Sequence, residues 1–590
     1  MSFDGIVLYG IIHELQQSLL DGRISRIYQP SKNELVLFII HNRREHKLIV
    51  SADSINCRIH LSDTVNQNPS SPPMFCMLLR KHLLGGKITS ILQKGLERIV
   101  EIAITNTDEF MQPKDYKLIV EIMGKHSNII LTDFQNTIID SVKRIGLELN
   151  RYREILPGKT YSDPPLDEKI NLLSVDDDCI ISMLKEASAS QFTTTLSRWI
   201  IDNFAGFSGV SAQELALRAR LDHRIPICQL NNRQIEQIAK VFSNLREDLL
   251  QCHFLPRVYC NINTKEPVDF WLFPMEKYNQ KEYKSSNSVN EAADFFYSKK
   301  EEFVAVKTLR QSLKAEVLKH EKKLRQKLQY LKERIDNTSD LNKYKLWGEL
   351  LSANLYRIKA GQSQVKLPNF YNLNEEVTIP LNEKLSPSHN AQLYFKMYKK
   401  LQATKKYVEA RIKDTLMEME YLESTLVNIE HSRSIQDLTE IQQELELQKY
   451  IKTNVPKGKM ESKKELSKPL RFKSSDGNVI YVGKNNRQND MLTFKKSKPD
   501  DIWLHAKNTP GSHVIVETQG HAASDTTLTE AAILAAYFSK GRNSSNVPVD
   551  YTLVRHVKKP SGAKPGFVIY FNQKTLYVTP DEKTVDKLSF

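Results

Sequence analysis

Three short stretches hold more chemically capable side chains than folding requires. They are Gly95-Leu96-Glu97-Arg98, then Glu121-Ile122-Met123-Gly124-Lys125-His126-Ser127-Asn128, and last Asp501-Ile502-Trp503-Leu504-His505-Ala506 followed by Pro510-Gly511-Ser512-His513-Val514. Arg98 offers a forked donor, Lys125 a point charge and His126 a ring that stacks. These are the groups that hold single-stranded RNA loops. Glu97 can fix the Arg98 fork or accept from an exocyclic amine. Glu97-Arg98 and Glu121-Ile122-Met123 lie where predicted strands begin or end, so they are expected side by side on one sheet edge. Trp503 and His505 are two apart, which puts them on one face of a strand. There they would form a stacking platform; the competing role for Trp503 is core packing.

Enzyme signatures fail on inspection. Pro157-Gly158-Lys159-Thr160 mimics the tail of a phosphate-binding loop, but Arg153 stands where its first glycine is required. No nucleophile elbow, zinc-protease helix motif or dinucleotide fingerprint occurs in a suitable context. His505, His513 and His521 are spaced by eight, yet Pro510-Gly511 interrupts the strand that would align them. No metal or cofactor is implied. The six cysteines show no CxxC pair, and the start, Met1-Ser2-Phe3-Asp4-Gly5, lacks a basic and apolar leader. No apolar run approaches the ~18 residues of a membrane span. A reduced, cytoplasmic setting without membrane contact is the expectation.

The elements that would position these residues are legible in outline. A chain of 590 residues, 40% hydrophobic and 26% charged, holds several domains. Leu35–Ile40, Lys47–Val50, Arg98–Ile104, Tyr116–Ile122 and Asn128–Leu131 read as strands, and Pro72-Pro73 opens a helix Met74–Leu84 closed by Gly85-Gly86. The spacing predicts an α+β domain over 1–172. Residues 173–285 read as short helices, with Phe207-Ser208-Gly209-Val210-Ser211 as a candidate glycine hairpin between two of them. Residues 286–445 carry two heptad-like seams. One runs through Leu313, Val317, Leu324, Leu328, Leu331 and Ile335. The other runs through Leu401, Val408, Ile412, Leu416, Met419, Leu422, Leu426 and Ile429. They predict a long antiparallel coiled coil with a tip near 340–390. Residues 446–590 form a basic linker and a last α+β domain.

The net charge is +14, and residues 457–590 carry 22 basic against 13 acidic side chains, so +9 of it lies there. That excess points to a polyanion, with Lys463, Lys464 and Lys468 of the linker as candidate phosphate contacts.

Several blocks resemble the NFACT family. They are Met1–Gly5, Pro72-Pro73-Met74-Phe75-Cys76-Met77-Leu78-Leu79-Arg80-Lys81-His82, Glu121–Asn128, Asn390-Ala391-Gln392 with Tyr394-Phe395, and Trp503-Leu504-His505 with Gly511-Ser512-His513. The resemblance covers essentially the whole chain. It implies an N-terminal domain similar to the glycosylase N-terminal fold, a helix-hairpin-helix region, a middle coiled coil and a C-terminal RNA-binding domain. It further implies a ribosome-associated quality-control factor that binds large ribosomal subunits obstructed by peptidyl-tRNA. Such a factor recruits tRNA, alanyl-tRNA in particular, and supports alanine tailing of the stalled chain beside rRNA and other quality-control factors. Peptide bonds would be made by the ribosome, so the chain is expected to be a scaffold and not an enzyme. Glu97, Arg98, Glu121, Ile122, Met123, Lys125 and His126 are the implied tRNA-binding residues, and Trp503, His505 and His513 further RNA contacts. The family's Asp-Arg pair is Glu97-Arg98 here, which moves the carboxylate one methylene outward. Glycosylases of that fold use a proline in the second position as nucleophile; this chain has Ser2 there, which argues against DNA repair. A surface adhesin is the other alternative, and no export signal supports it.

Overall fold

The computed structural model describes residues 3–107, 112–148, 150–165, 169–189, 193–372, 375–452 and 467–589. Ser2, Lys463 and Lys464 lie outside the described residues. The chain divides into two compact units, Met1–Phe303 and Val304–Phe590.

The first unit is built on a nine-stranded antiparallel sheet. Its strands are β1 (Arg23–Ser31), β2 (Glu34–His41), β3 (Arg44–Ser51), β4 (Arg58–Leu61), β5 (Lys87–Gln93), β6 (Ile99–Thr107), β7 (Pro113–Glu121), β8 (Asn128–Asp133) and β9 (Ile138–Ser141). The order is β4-β3-β2-β1-β5-β6-β7-β8-β9, two meanders joined where β1 meets β5. Asn42 and Arg43 both take positive φ, 49° and 64°, the two-residue turn whose twist suits a hairpin. Helices Gly5–Leu19 and Met74–Leu83 cover one face of the sheet.

One core runs from Phe3 to Tyr297, so the expected boundary at 172 does not divide the apolar interior. Helices Asp177–Ala189, Leu196–Asn203, Gly209–Arg218 and Asn232–Gln251 follow, as the sequence reading expected. That reading continued the helices to 285. Instead Arg257–Cys260, Pro267–Trp271 and Glu282–Ser285 form a three-stranded sheet. Strands of four or five residues are too short to show a period, and Tyr259, Phe270 and Trp271 are buried by tertiary packing.

In the second unit, helices Val289–Asp336 and Pro387–His431 run antiparallel from Val304 onward: Lys314 pairs with Glu430 at 2.6 Å, and Arg325 reaches Glu423 at 3.9 Å. Leu313, Val317, Leu422 and Ile429 are buried in the seam, and helix Ile435–Leu447 adds Leu438, Ile441 and Leu445. Leu416 departs from the expected seam; it is 48% exposed while its neighbour Thr415 is buried. The tip has its own core of Leu350, Leu351, Leu367, Ile379, Ala391 and Tyr394, built from helix Leu341–Ala353 and the hairpin Gln364–Pro368/Glu376–Pro380. Asn390 closes it, accepting from the Asn382 backbone N–H at 2.8 Å and donating to the Asn382 carbonyl at 3.1 Å.

The C-terminal domain is a six-stranded antiparallel sheet. Its strands, in spatial order, are Leu470–Lys473, Val479–Val482, Val514–Val516, Ile502–Ala506, Val547–Leu553 and Lys574–Val578. Helix Asp525–Tyr537 packs on one face. The architecture is the expected mixed α+β one, with a long antiparallel helical arm.

Candidate nucleic-acid interface

The start of the chain, the β5–β6 turn and the loop before helix Gly209–Arg218 converge at one end of the first sheet. At Gly5 a Cβ would lie 1.8 Å from the Leu96 carbonyl oxygen and 2.6 Å from Gly206 Cα, so only glycine fits. The Gly5 N–H donates to the Gly206 carbonyl at 2.9 Å. Gln93 Nε2 donates to the Gly5 and Glu97 carbonyls, both at 2.9 Å, which holds the turn against the helix start. Asp4 caps that helix by accepting from the Val7 N–H at 3.0 Å and from Ser208 Oγ at 2.9 Å. Burial raises the Asp4 carboxyl pKa, opposed by these bonds and by the positive charge of Arg98. The Ser208–Ser211 segment is thus a capping box tied to the chain start.

Arg98 is half-buried here and forms no hydrogen bond or ion pair through its guanidinium among the described residues. A forked cation held in place but not paired is free to take an external anion or base. Glu97 is also half-buried, and no bond joins it to Arg98; Asp4 is the carboxylate whose field Arg98 feels. The two motif segments do lie side by side. Ile99 pairs with Glu121, and the Ile122 N–H donates to the Arg98 carbonyl at 2.9 Å. They meet at the end of β6 and β7, which are interior strands, and not at a sheet edge.

The second motif separates into anchors and exposed groups. Glu121 is 0% exposed, and its two oxygens accept from Arg153 Nη1 at 2.7 Å and Nη2 at 2.6 Å. Tyr161 Oη donates to it at 2.9 Å, and burial with that carboxylate pushes the tyrosine pKa upward. Ile122 is a core residue. The expectation that Glu121 and Ile122 present their side chains to tRNA is therefore corrected: neither reaches the surface, and Glu121 is a positioning residue. Met123 is partly buried against Ile99, Ile119 and Ile130. Ser127 Oγ accepts from the Met123 N–H at 2.8 Å, and Asn128 Nδ2 donates to the Lys143 carbonyl at 2.8 Å. Between these anchors the short turn Gly124–His126 lifts Lys125 and His126 into solvent at the same sheet end as Arg98.

The third motif is deeper than the sequence implied. Trp503 and His505 share a strand face and stack, 5.7 Å between centroids at 15°. Leu504 pairs with Val514 on the next strand, which brings His513 to 5.6 Å from His505. Trp503 is 0% and His513 1% exposed, so Trp503 takes the core-packing role that competed with a surface platform, in a buried aromatic cluster completed by Tyr570. His513 is engaged by Thr493 Oγ1 at 2.8 Å and the Gly566 carbonyl at 3.2 Å. Burial lowers His505 to about 4 and holds His513 well below the usual range, so both are neutral at pH 7. Lys468 is exposed directly after Ser467, whose N–H donates to Glu440. Among the described residues no cluster of His, Cys, Asp and Glu could hold a metal, and no helix is long and apolar enough to cross a membrane.

Sequence reasoning missed Asp4, Arg153 and Tyr161. A carboxylate closing an otherwise apolar strand was the available signal, since it requires a buried cation.

A nine-stranded N-terminal sheet presenting an unpaired arginine, an antiparallel helical arm and a basic α+β C-terminal domain define the class of protein. The chain belongs to the NFACT family: residues 4–465 match the NFACT N-terminal and middle domains, and residues 468–570 the NFACT protein RNA binding domain. It is 40% identical to the Rqc2 homolog RqcH of Bacillus subtilis over 100% of both chains. It is 23% identical to the human ribosome quality control complex subunit NEMF over 60% of this chain and 33% of that one. The crystal structure of the fibrinogen binding protein from Staphylococcus aureus is 28% identical and covers 50% of this chain and 99% of its own; at a TM-score of 0.42 it carries no argument about ligands here.

Proposed function

We propose that this protein is a ribosome-associated quality-control factor. It binds large ribosomal subunits still obstructed by peptidyl-tRNA, recruits tRNA, alanyl-tRNA in particular, and supports mRNA-independent alanine tailing of the stalled chain. The observation that carries the reading is the 40% identity, end to end, to an Rqc2 homolog RqcH. The geometry of the N-terminal site supports it. Arg98, Lys125 and His126 are accessible donors at one sheet end, Glu97 and Met123 flank them, and the Glu121–Arg153 pair fixes the strand that carries them. Lys463, Lys464 and Lys468 add phosphate contacts ahead of the RNA-binding domain. The mechanism is positioning: the protein orients tRNA, and the ribosome forms the peptide bond. The setting is the cytoplasm, and rRNA and other quality-control factors are the further partners.

Sucrose-gradient fractionation tests this. The protein should co-migrate with large subunits, the RNA sequenced from that fraction should be enriched in one tRNA, and stalled chains should carry C-terminal alanine detectable by mass spectrometry. Migration free of subunits, with no RNA recovered, would overturn it.

A further inference from the structure

Beside the buried aromatic cluster of the C-terminal domain lies a cavity of about 320 Å³, lined among others by Glu420, Tyr421, Asn486, Trp503, His505 and Tyr570. That volume is at the small end of the ~300–1,000 Å³ range typical of ligand sites. Its chemistry is unusual in three ways. Among the described residues no lysine or arginine lines it, and its histidines are neutral, which does not suit a phosphate. Its walls are flat and aromatic. And Trp503 Nε1–H, fully buried, has no hydrogen-bond partner among the described residues.

Most other polar groups around it are already satisfied. Tyr421 Oη donates to Glu444 at 2.8 Å, Tyr570 Oη to Asp550 at 2.9 Å, and Asn486 Oδ1 accepts from Ser424 at 2.8 Å. Trp503 Nε1–H and the Glu420 carboxylate remain, with the exposed Asn508 amide at the rim. Partial desolvation at the cavity mouth and the nearby charge of Glu423 hold the Glu420 carboxyl above its ordinary range, which a donated N–H would relieve. Just outside, Lys564 Nζ lies 5.5 Å from the Tyr421 ring centroid and makes no ion pair among the described residues; it donates only to Gln448, at 2.8 Å.

We propose that this cavity receives one unpaired base of an RNA strand whose Watson–Crick edge sets an exocyclic amine beside a ring acceptor, adenine or cytosine. The base stacks on the His505–Tyr570 wall, its ring nitrogen accepts from Trp503 Nε1, its exocyclic amine donates to Glu420, and Lys564 meets the adjoining phosphate. Trp503 is 0% exposed, so the base edge reaches it as the Asn508–Gly511 loop, which closes one side of the cavity, yields. Uracil, with a carbonyl where the amine would be and an N–H where the ring acceptor would be, is the wrong partner for both groups. This proposal rests on the RNA-binding reading given above.

The test uses the full-length protein and fluorescence anisotropy with labelled ten-nucleotide strands of A, C or U. Wild type should bind A or C about 2- to 10-fold more tightly than U, the discrimination one or two hydrogen bonds supply. Trp503→Phe, which keeps a ring and removes the N–H, and Glu420→Ala, at an exposed helix position, should each bring that ratio toward one. If Trp503→Phe fails to fold, Glu420→Ala alone decides. Equal binding of all three strands by wild type, with salt-dependent affinity intact, would overturn the base site and leave the RNA reading standing. AMP or CMP binding as tightly as the ten-nucleotide strand would overturn the assignment to an RNA strand. Binding of neither strands nor large subunits would remove both readings.

Discussion

Replacing Glu121 by leucine separates a residue that touches RNA from one that holds the site. The substitution removes both carboxylate acceptors of the Arg153 fork, leaving only the Ser162 carbonyl on Nη1, and strands a guanidinium whose side chain is 7% exposed without its anion. Breaking a buried pair in this way costs about 3–5 kcal/mol. At roughly 2–4 °C per kcal/mol for a unit of this size, the first transition should fall by about 6–20 °C. Differential scanning calorimetry of the full chain reads this directly. Glu121→Leu with Arg153→Met should recover most of the loss, because no charge is then left buried. Arg98→Ala serves as the contrast: its guanidinium has no partner among the described residues, so stability should change by no more than about 0.5 kcal/mol while tRNA recovery falls. A Glu121→Leu protein that melts with wild type yet loses tRNA would refute the reasoning and return Glu121 to the RNA surface.

Further expectations follow from the same geometry. The double variant Glu97→Ala, Arg98→Ala should stay folded and sediment with large subunits, yet lose tRNA and alanine tailing; wild-type tailing would remove both from the site. Replacing Lys463, Lys464 and Lys468 by glutamine should flatten the salt dependence of subunit binding by about 0.7 log units per log salt for each lysine in contact. His505 sits at about 4 in the folded protein against an ordinary 6.5, and His513 also lies low, so the unfolded chain binds protons first on acidification. The C-terminal domain should therefore be fully stabilised above pH 6.5 and lose stability as pH falls toward 4, and His513→Asn should flatten that slope in urea titrations. Replacing the tip, residues 340–386, by a short glycine-rich turn should leave the melting of the other cores in place, because the tip core is separate from them, and should weaken co-sedimentation with large subunits.

Much of the helical arm was legible because a heptad repeat involves neighbours three and four residues apart, and Leu313, Val317, Leu422 and Ile429 are buried as that rule requires. Leu416 breaks the rule at 48% exposure. Farther along the same helix, Ser424, Thr425 and Asn428 are drawn to Asn486 of the C-terminal domain, at 2.8, 3.2 and 3.3 Å, a contact that no period records. Period-two alternation likewise put Trp503 and His505 on one face, as found.

Depth and partnership were decided elsewhere. Whether Trp503 faces water depends on Tyr570 and His513, which arrive from other segments. Glu121 was expected at the tRNA-binding surface because its cation stands 32 residues away, at a position the sequence marked only as a missing glycine. Asp4 meets Ser208 across 204 residues. The sequence alone determined most of the helices and strands and the arm, though not the three-stranded sheet within 257–285, since propensity and periodicity are properties of near neighbours; residue type and family resemblance marked which side chains could serve RNA. Only the tertiary structure decided which of those side chains are buried in pairs and which, like Arg98, are left open, because burial and charge pairing are set by residues that come together when the chain closes.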